Sequence, residues 1–188
     1  MRHGWLMIKG VQEGDRTLGE QMQAVWPAVA EAAGKTVLDL GCAEGLIGLE
    51  FAKAGAAHVL GVEREREHLE VARRLCDGYR IQFEEFNLKQ VDPDYPLAFD
   101  IVLALGIIHK LEVPERGLRF AARSAKDLLL LRSGRGSVNG IIRGKFSRIT
   151  CDSAAVLRAE GFALEKTVDG PKDRDEPVEY WRRVPSAA

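Results

Sequence analysis

One ten-residue stretch restricts what this chain can fold into more than any other. Thr36-Val37-Leu38-Asp39-Leu40-Gly41-Cys42-Ala43-Glu44-Gly45 is an apolar run of strand type that passes through a glycine turn into the helical pattern Leu46-Ile47-Gly48-Leu49-Glu50-Phe51. A strand, a tight turn and a helix in immediate succession bring backbone N–H groups and a helix N-terminus up to a common point, where glycine leaves no Cβ in the way. The outline is that of a nucleotide-type cofactor site.

The rest of the chain repeats the strand-then-helix rhythm. A helix from about Leu46 to Ala54 closes at Gly55, and His58 to Val62 is a buried-type strand ending in Glu63. A polar helix over 65–77 follows, with Leu69, Ala72, Leu75 and Cys76 on its apolar face. The third strand runs from Arg80 to about Phe86 and ends at Asn87-Leu88; the fourth is Phe99 to Leu105, the next helix Pro114 to Ser124, and the fifth strand Asp127 to Leu131. Strands alternating with helices at short spacing imply right-handed βαβ units and a mostly parallel sheet, and near-continuous apolar strands fit burial on both faces. Beyond Arg132 the four glycines of Ser133 to Ser147 read as a long loop. A helix near Asp152 to Ala159 and two closing strands, about 163–168 and 178–184, come last, and the closing pair suits antiparallel pairing. The expectation is an α/β, doubly wound sheet of about seven strands, mostly parallel with an antiparallel C-terminal strand.

Ahead of the glycine turn, residues 1–16 show no periodicity and read as an irregular arm, which leaves 17–188 as a single domain. Thr17-Leu18-Gly19-Glu20 has the form of a capping box. The apolar face it opens, Leu18, Met22, Val25, Trp26, Val29 and Ala33, is interrupted by Pro27, so either one kinked helix or two short ones are expected there.

In a doubly wound sheet the ligand lies outside the carboxyl ends of the strands. The residues at those ends are Asp39, Gly41, Cys42, Ala43 and Gly45, then Glu63 with Arg64, then Asn87 and Leu88, then Leu105. Glu63 is placed to accept hydrogen bonds from two ribose hydroxyls, and Asn87, which both donates and accepts, suits an adenine edge. A dinucleotide site prefers G-x-G-x-x-G, but the spacing here is Gly41-x-x-x-Gly45-x-x-Gly48 with Ala43 at the second glycine's place. Two acids in the turn, Asp39 and Glu44, with no base beside them disfavour a diphosphate and tolerate a cationic ligand. The missing G-x-G-x-x-G argues against a nicotinamide-dependent oxidoreductase.

These residues resemble motif I of the class I S-adenosylmethionine-dependent methyltransferases, which have a Rossmann-like fold. The resemblance extends to Glu63 as the ribose acid, to Asn87-Leu88 where the family usually has Asp-Leu, and to Phe99-Asp100-Ile101-Val102-Leu103 as the fourth-strand motif. It implies S-adenosyl-L-methionine as methyl donor, S-adenosyl-L-homocysteine as product, and an O or N nucleophile on the acceptor. More narrowly, Gly4-Trp5, Gly34-Lys35-Thr36-Val37-Leu38-Asp39 and Leu105-Gly106-Ile107-Ile108-His109 are similar to the branch that includes enzymes modifying the tRNA wobble uridine.

His109 follows the fourth strand, where the acceptor meets the methyl group, and an imidazole takes a proton near neutral pH, so it is the candidate base. Formal net charge is -1, hence attraction of an anion has to come from a local patch. Arg132 to Arg148 is such a patch, and Arg135, Arg143 and Lys145 are its candidate substrate contacts, for a small acidic metabolite or RNA. A rival reading is a non-catalytic S-adenosylmethionine-binding module, or the partner subunit of a larger complex. Cys42, Cys76 and Cys151 show no metal-ligand pairing, which argues against a metal site and suits reduced thiols. No apolar run approaches the ~20 residues of a membrane span and the first residues form no signal-peptide pattern, so no membrane partner and a cytoplasmic location are expected.

Overall fold

The computed structural model describes residues 2–8, 12–133, 140–144, 149–170 and 177–185. Strands β3 (Thr36–Leu40), β4 (His58–Glu63), β5 (Ile81–Glu85), β6 (Phe99–Leu105), β7 (Ala125–Arg132), β10 (Phe162–Val168) and β11 (Val178–Arg183) form one seven-stranded sheet. Its order is β10-β11-β7-β6-β3-β4-β5. The β3–β4, β3–β6, β4–β5 and β6–β7 pairs are parallel, and β11 runs antiparallel to both β7 and β10. This is the expected Rossmann-like sheet with its antiparallel C-terminal strand.

Alternation along the strands builds two cores. Val37, Val59, Ile101, Leu103, Leu128 and Leu130 face one side, where they pack with Met22, Val25, Ala28 and Phe51. Those apolar residues come from α1 (Leu18–Met22), α2 (Trp26–Val29), the turn between them and α3 (Leu46–Lys53). Leu38, Leu40, Leu60, Val62, Val102, Leu129 and Leu131 face the other side, against Leu118 and Phe120 of α5 (Pro114–Ser124) and Val156 and Leu157 of α6 (Ser153–Ala159). Because a strand's side chains alternate with a period of two, both faces need apolar residues, and the unbroken runs Val59 to Val62 and Leu128 to Leu131 supply them.

The capping box forms: Thr17 Oγ1 accepts from the Glu20 amide at 3.3 Å, and the Thr17 amide donates to Glu20 at 2.6 Å. Pro27 lies in the first turn of α2, where its missing N–H costs nothing, so the chain makes two short helices here.

Two stretches differ from expectation. The arm contains β1 (Arg2–Leu6) and β2 (Gln12–Arg16), paired parallel, whose mixed composition carries no alternation to read. From within the glycine-rich loop, β8 (Ile141–Arg143) pairs antiparallel with β9 (Thr150–Asp152), which follows the loop. Ile142 and Cys151 are buried between exposed neighbours, and Ser153 ties the start of the pair by donating N–H and Oγ–H to the Gly140 carbonyl at 2.9 and 2.8 Å. Three-residue strands are too short for periodicity to reveal them.

Candidate functional site

From β3 the chain moves to β4 and β5 on one side, then returns to place β6 on the other, so the order reverses between β3 and β6. A pocket of about 380 Å³ opens at the carboxyl ends of these strands. Gly41 and Ala43 line it from the glycine turn, Glu63 and Arg64 from the end of β4, and Asn87 and Leu88 from the end of β5. Leu105, Gly106, Ile107, Lys110 and Leu111 line it from the end of β6.

The turn is held in shape from beneath. Gly41 and Gly45 have φ of 72° and 75°, and Ala43 takes φ 48°, left-handed conformations that the turn imposes. The Gly41 and Cys42 amides donate to the Val62 carbonyl at 2.8 and 3.0 Å, which pins the turn to β4. A Cβ on Gly45 would lie 2.5 Å from the Phe83 ring, and one on Gly61 would lie 2.8 Å from the same ring, so Phe83 rests flat on two glycines.

Glu63 is fixed by three backbone donors. Its carboxylate accepts from the Ala43 amide at 3.2 Å, the Arg64 amide at 2.7 Å and the Glu65 amide at 3.0 Å. Arg64 in turn pairs with Glu65 through Nε at 3.0 Å, and that pairing holds the Glu65 carboxyl below its ordinary range. Asn87 starts a single 3-10 turn, Leu88–Gln90, and its Oδ1 accepts from the Lys89 amide at 3.1 Å.

Three of the predicted cofactor residues do not line the pocket. Gly45 makes the close approach to Phe83, while Asp39 and Cys42 lie beneath the turn at 4 % and 8 % exposure. Burial, and then the charge of Glu63, raise the Asp39 carboxyl to about 7, with the Gly48 amide offsetting part of the effect. Burial, then Asp39 and Glu63, push the Cys42 thiol far up, which makes it an inert packing group. These three residues build the cradle from which others reach the pocket.

His109 sits in a second one-turn helix, Ile108–Lys110, after β6. It is half-buried, and its Cε1 lies 4.0 Å from where a Gly106 Cβ would be, so the ring borders the pocket through Gly106 without lining it. Arg143 is exposed on β8, which packs against the Ile108–Lys110 turn. Arg135 and Lys145 lie outside the described residues.

Sequence reasoning missed His68, Phe86, Lys89, Ile107, Lys110 and Leu111, all of which line the pocket. His68 had a usable signal, since it follows Glu65 by three positions on α4 (Arg66–Leu75) and the first turn of that helix abuts the ribose acid. Phe86, Ile107 and Leu111 carry none, because an apolar residue beside a strand end reads as core.

The strand order, the antiparallel β11 and the strand-end pocket are those of the Rossmann-like methyltransferase fold. Residues 37–128 match a family model described as a methyltransferase domain. The chain is 32% identical over 99 residues to a ubiquinone biosynthesis O-methyltransferase of Pseudomonas paraeruginosa, covering 52% of this chain and 42% of that protein. It is 30% identical over 100 residues to the protein of the same name from Neisseria meningitidis, again 52% and 42%. The match thus spans less than half the length of these curated relatives. Among solved structures, the magnesium protoporphyrin IX methyltransferase of Synechocystis PCC 6803 with bound SAH superposes with TM-score 0.70 at 20% identity, over 88% of this chain and 84% of that one. An S-adenosylmethionine-dependent methyltransferase from Mesorhizobium loti gives 0.66 at 19%, over 88% and 100%. At these identities the structural likeness establishes the fold.

Proposed function

We propose that the pocket binds S-adenosyl-L-methionine and that the protein transfers its methyl group to an O or N nucleophile, releasing S-adenosyl-L-homocysteine. One observation carries this reading: Glu63 is held by three backbone amides at the end of β4, beside the glycine turn and in the same pocket as Asn87. Such a carboxylate keeps a lone pair for a ribose hydroxyl, and the amide of Asn87 serves a purine edge. A volume of about 380 Å³ falls in the range of small-molecule sites. Apolar Leu88, Leu105, Ile107 and Leu111 line the walls, a suitable cover for a base and thioether.

When bound, the cofactor supplies a sulfonium-activated methyl. Glu63 and Asn87 would hold that cofactor so that an acceptor nucleophile could displace the methyl group from sulfur. The protein's share is alignment and exclusion of water, together with removal of the acceptor's proton. We assign that proton to His109, which borders the pocket at Gly106. Arg143, Arg135 and Lys145 belong to the acceptor side in this reading. The curated relatives' names favour an oxygen nucleophile on a small molecule, and an acidic metabolite suits the basic residues.

Among the described residues no helix is long and apolar enough to cross a membrane, and Cys42, Cys76 and Cys151 are free and buried. Both fit a cytoplasmic setting.

Calorimetry with S-adenosyl-L-homocysteine tests the cofactor site; a folded protein that binds neither it nor the methyl donor ends the proposal. A labelled-methyl screen over small-molecule, RNA and protein fractions then tests the acceptor. Label confined to RNA would replace the metabolite with a nucleic-acid acceptor, and binding without any transfer would leave a cofactor-binding module.

A further inference from the structure

One wall of the pocket is backed by α5, which does not itself line it, and the contact falls on a glycine. Leu111 lines the pocket and is otherwise buried. A Cβ on Gly117 would lie 2.1 Å from Leu111 Cδ1, far inside van der Waals contact. The next atoms, Ile108 Cδ1 at 3.6 Å and Leu111 Cγ at 3.7 Å, stand at ordinary contact distance. The tip of Leu111 alone therefore fills the space that a side chain on Gly117 would take.

Backbone geometry does not call for this glycine. Gly117 is a buried residue within the 11 of α5 and does not have a positive φ, in contrast to Gly41, whose φ is 72°. Glycine inside a helix is less favourable than alanine. What it supplies here is a recess for Leu111.

The surroundings decide what filling that recess does. The Leu111 amide donates to the Ile108 carbonyl at 3.1 Å, which fixes its backbone. Buried Leu118, Phe120, Ala121 and Ala122 hold α5 in place, with the Phe120 ring stacked on Phe86 at 5.7 Å. Cδ1 is the end of a flexible side chain, so it is the part that gives way, and the pocket is the open space beside it.

We propose that Gly117 is a positioning residue that sets the width of the pocket from outside: its missing side chain lets Leu111 sit back from the volume the ligand needs. The proposal rests on the cofactor reading above and adds to it a helix residue that none of the strand ends contains.

The test is calorimetry with S-adenosyl-L-homocysteine on wild type, Gly117→Ala, Leu111→Ala and the double variant, with thermal melts alongside. Gly117→Ala should melt no lower than wild type, because alanine favours the helix and the displaced tip has the empty pocket to enter. It should nevertheless bind roughly 10- to 100-fold more weakly, the scale of overpacking by one methyl group. On the Leu111→Ala background the same substitution should change affinity by less than about twofold, since no tip remains to be displaced. Equal affinity in wild type and Gly117→Ala overturns the assignment, as does the same loss on both backgrounds. A Gly117→Ala melt well below wild type also overturns it, because α5 would then be moving in place of Leu111. Each of these leaves the cofactor reading intact, whereas a folded wild type that does not bind removes both.

Discussion

The amide of Ala43, in the glycine turn after β3, donates to the carboxylate of Glu63 at the end of β4 across 3.2 Å, joining two neighbouring strand ends through a bond that spans 20 residues of sequence. The same carboxylate takes the Arg64 and Glu65 amides, so it shapes the turn and presents itself to the pocket at once. Replacing Glu63 by Ala removes a charged acceptor, and hydrogen bonds to charged groups contribute about 1.5–3 kcal/mol. Affinity for S-adenosyl-L-homocysteine should fall by roughly 10- to 100-fold by calorimetry. Glu63→Gln, which keeps one accepting oxygen, should lose less. Equal affinity in wild type and Glu63→Ala would remove Glu63 from the ligand's contacts.

Gly45 and Gly34 separate two costs that a glycine substitution mixes. Both take positive φ, 75° and 72°, but a Cβ on Gly34 meets nothing within 4 Å whereas one on Gly45 strikes the Phe83 ring. Gly34→Ala should therefore lose about 1–2 kcal/mol of stability, the left-handed strain alone. Gly45→Ala adds overpacking of about 1–3 kcal/mol, because its Cβ would lie 2.5 Å from the Phe83 ring. Urea titration of the two variants should place Gly45→Ala below Gly34→Ala, and a reversed order would show that Phe83 gives way.

The contrast between these two glycines marks how far the sequence was legible. The seven sheet strands stood out because runs such as Leu128 to Leu131 are buried on both faces, and the strand-end rule then collected Gly41, Ala43, Glu63, Asn87 and Leu105 into one pocket. That Gly45 carries φ as well as a close contact depends on Phe83, which lies 38 positions away and only a folded sheet brings near. The division of labour between Asp39 below the turn and Glu63 beside the pocket was equally unreadable, since both are acids at strand ends. His68 escaped because a polar residue in a polar helix reads as solvated, although the helix begins against the pocket wall. The β8–β9 pair escaped because its buried residues, Ile142 and Cys151, are single apolar positions amid glycines and polar groups.

Asp39 makes the unliganded protein's stability depend on pH with a sign opposite to that of a salt-bridged carboxylate. Burial and Glu63 raise it from 3.8 to about 7, so between these values the folded state holds a proton that the unfolded state has released. Stability contributed by this group is full below about pH 4, falls as pH rises, and is lost above about 7, at a total cost of roughly 4 kcal/mol. Asp39→Asn keeps the shape without the charge. The difference in unfolding free energy between Asp39→Asn and wild type should grow from near zero at pH 4 to its maximum near pH 8. Parallel stability curves across that range would mean that Asp39 is ionised at no cost.

His109 borders the pocket through Gly106 and Lys110 lines it, so substitutions at the two positions should affect different quantities. If His109 takes the acceptor's proton, His109→Gln should lower kcat by about 10²- to 10⁴-fold, the usual worth of a positioned base. Cofactor affinity should stay unchanged, because His109 does not line the pocket. The acidic limb of the pH–rate profile should vanish with it, since Gln does not titrate. Lys110→Met removes a cation from the pocket wall and should act on KM for an acidic acceptor, leaving the pH profile in place. A His109→Gln enzyme with an unaltered rate and profile would assign the reaction to alignment alone, the proton passing to water.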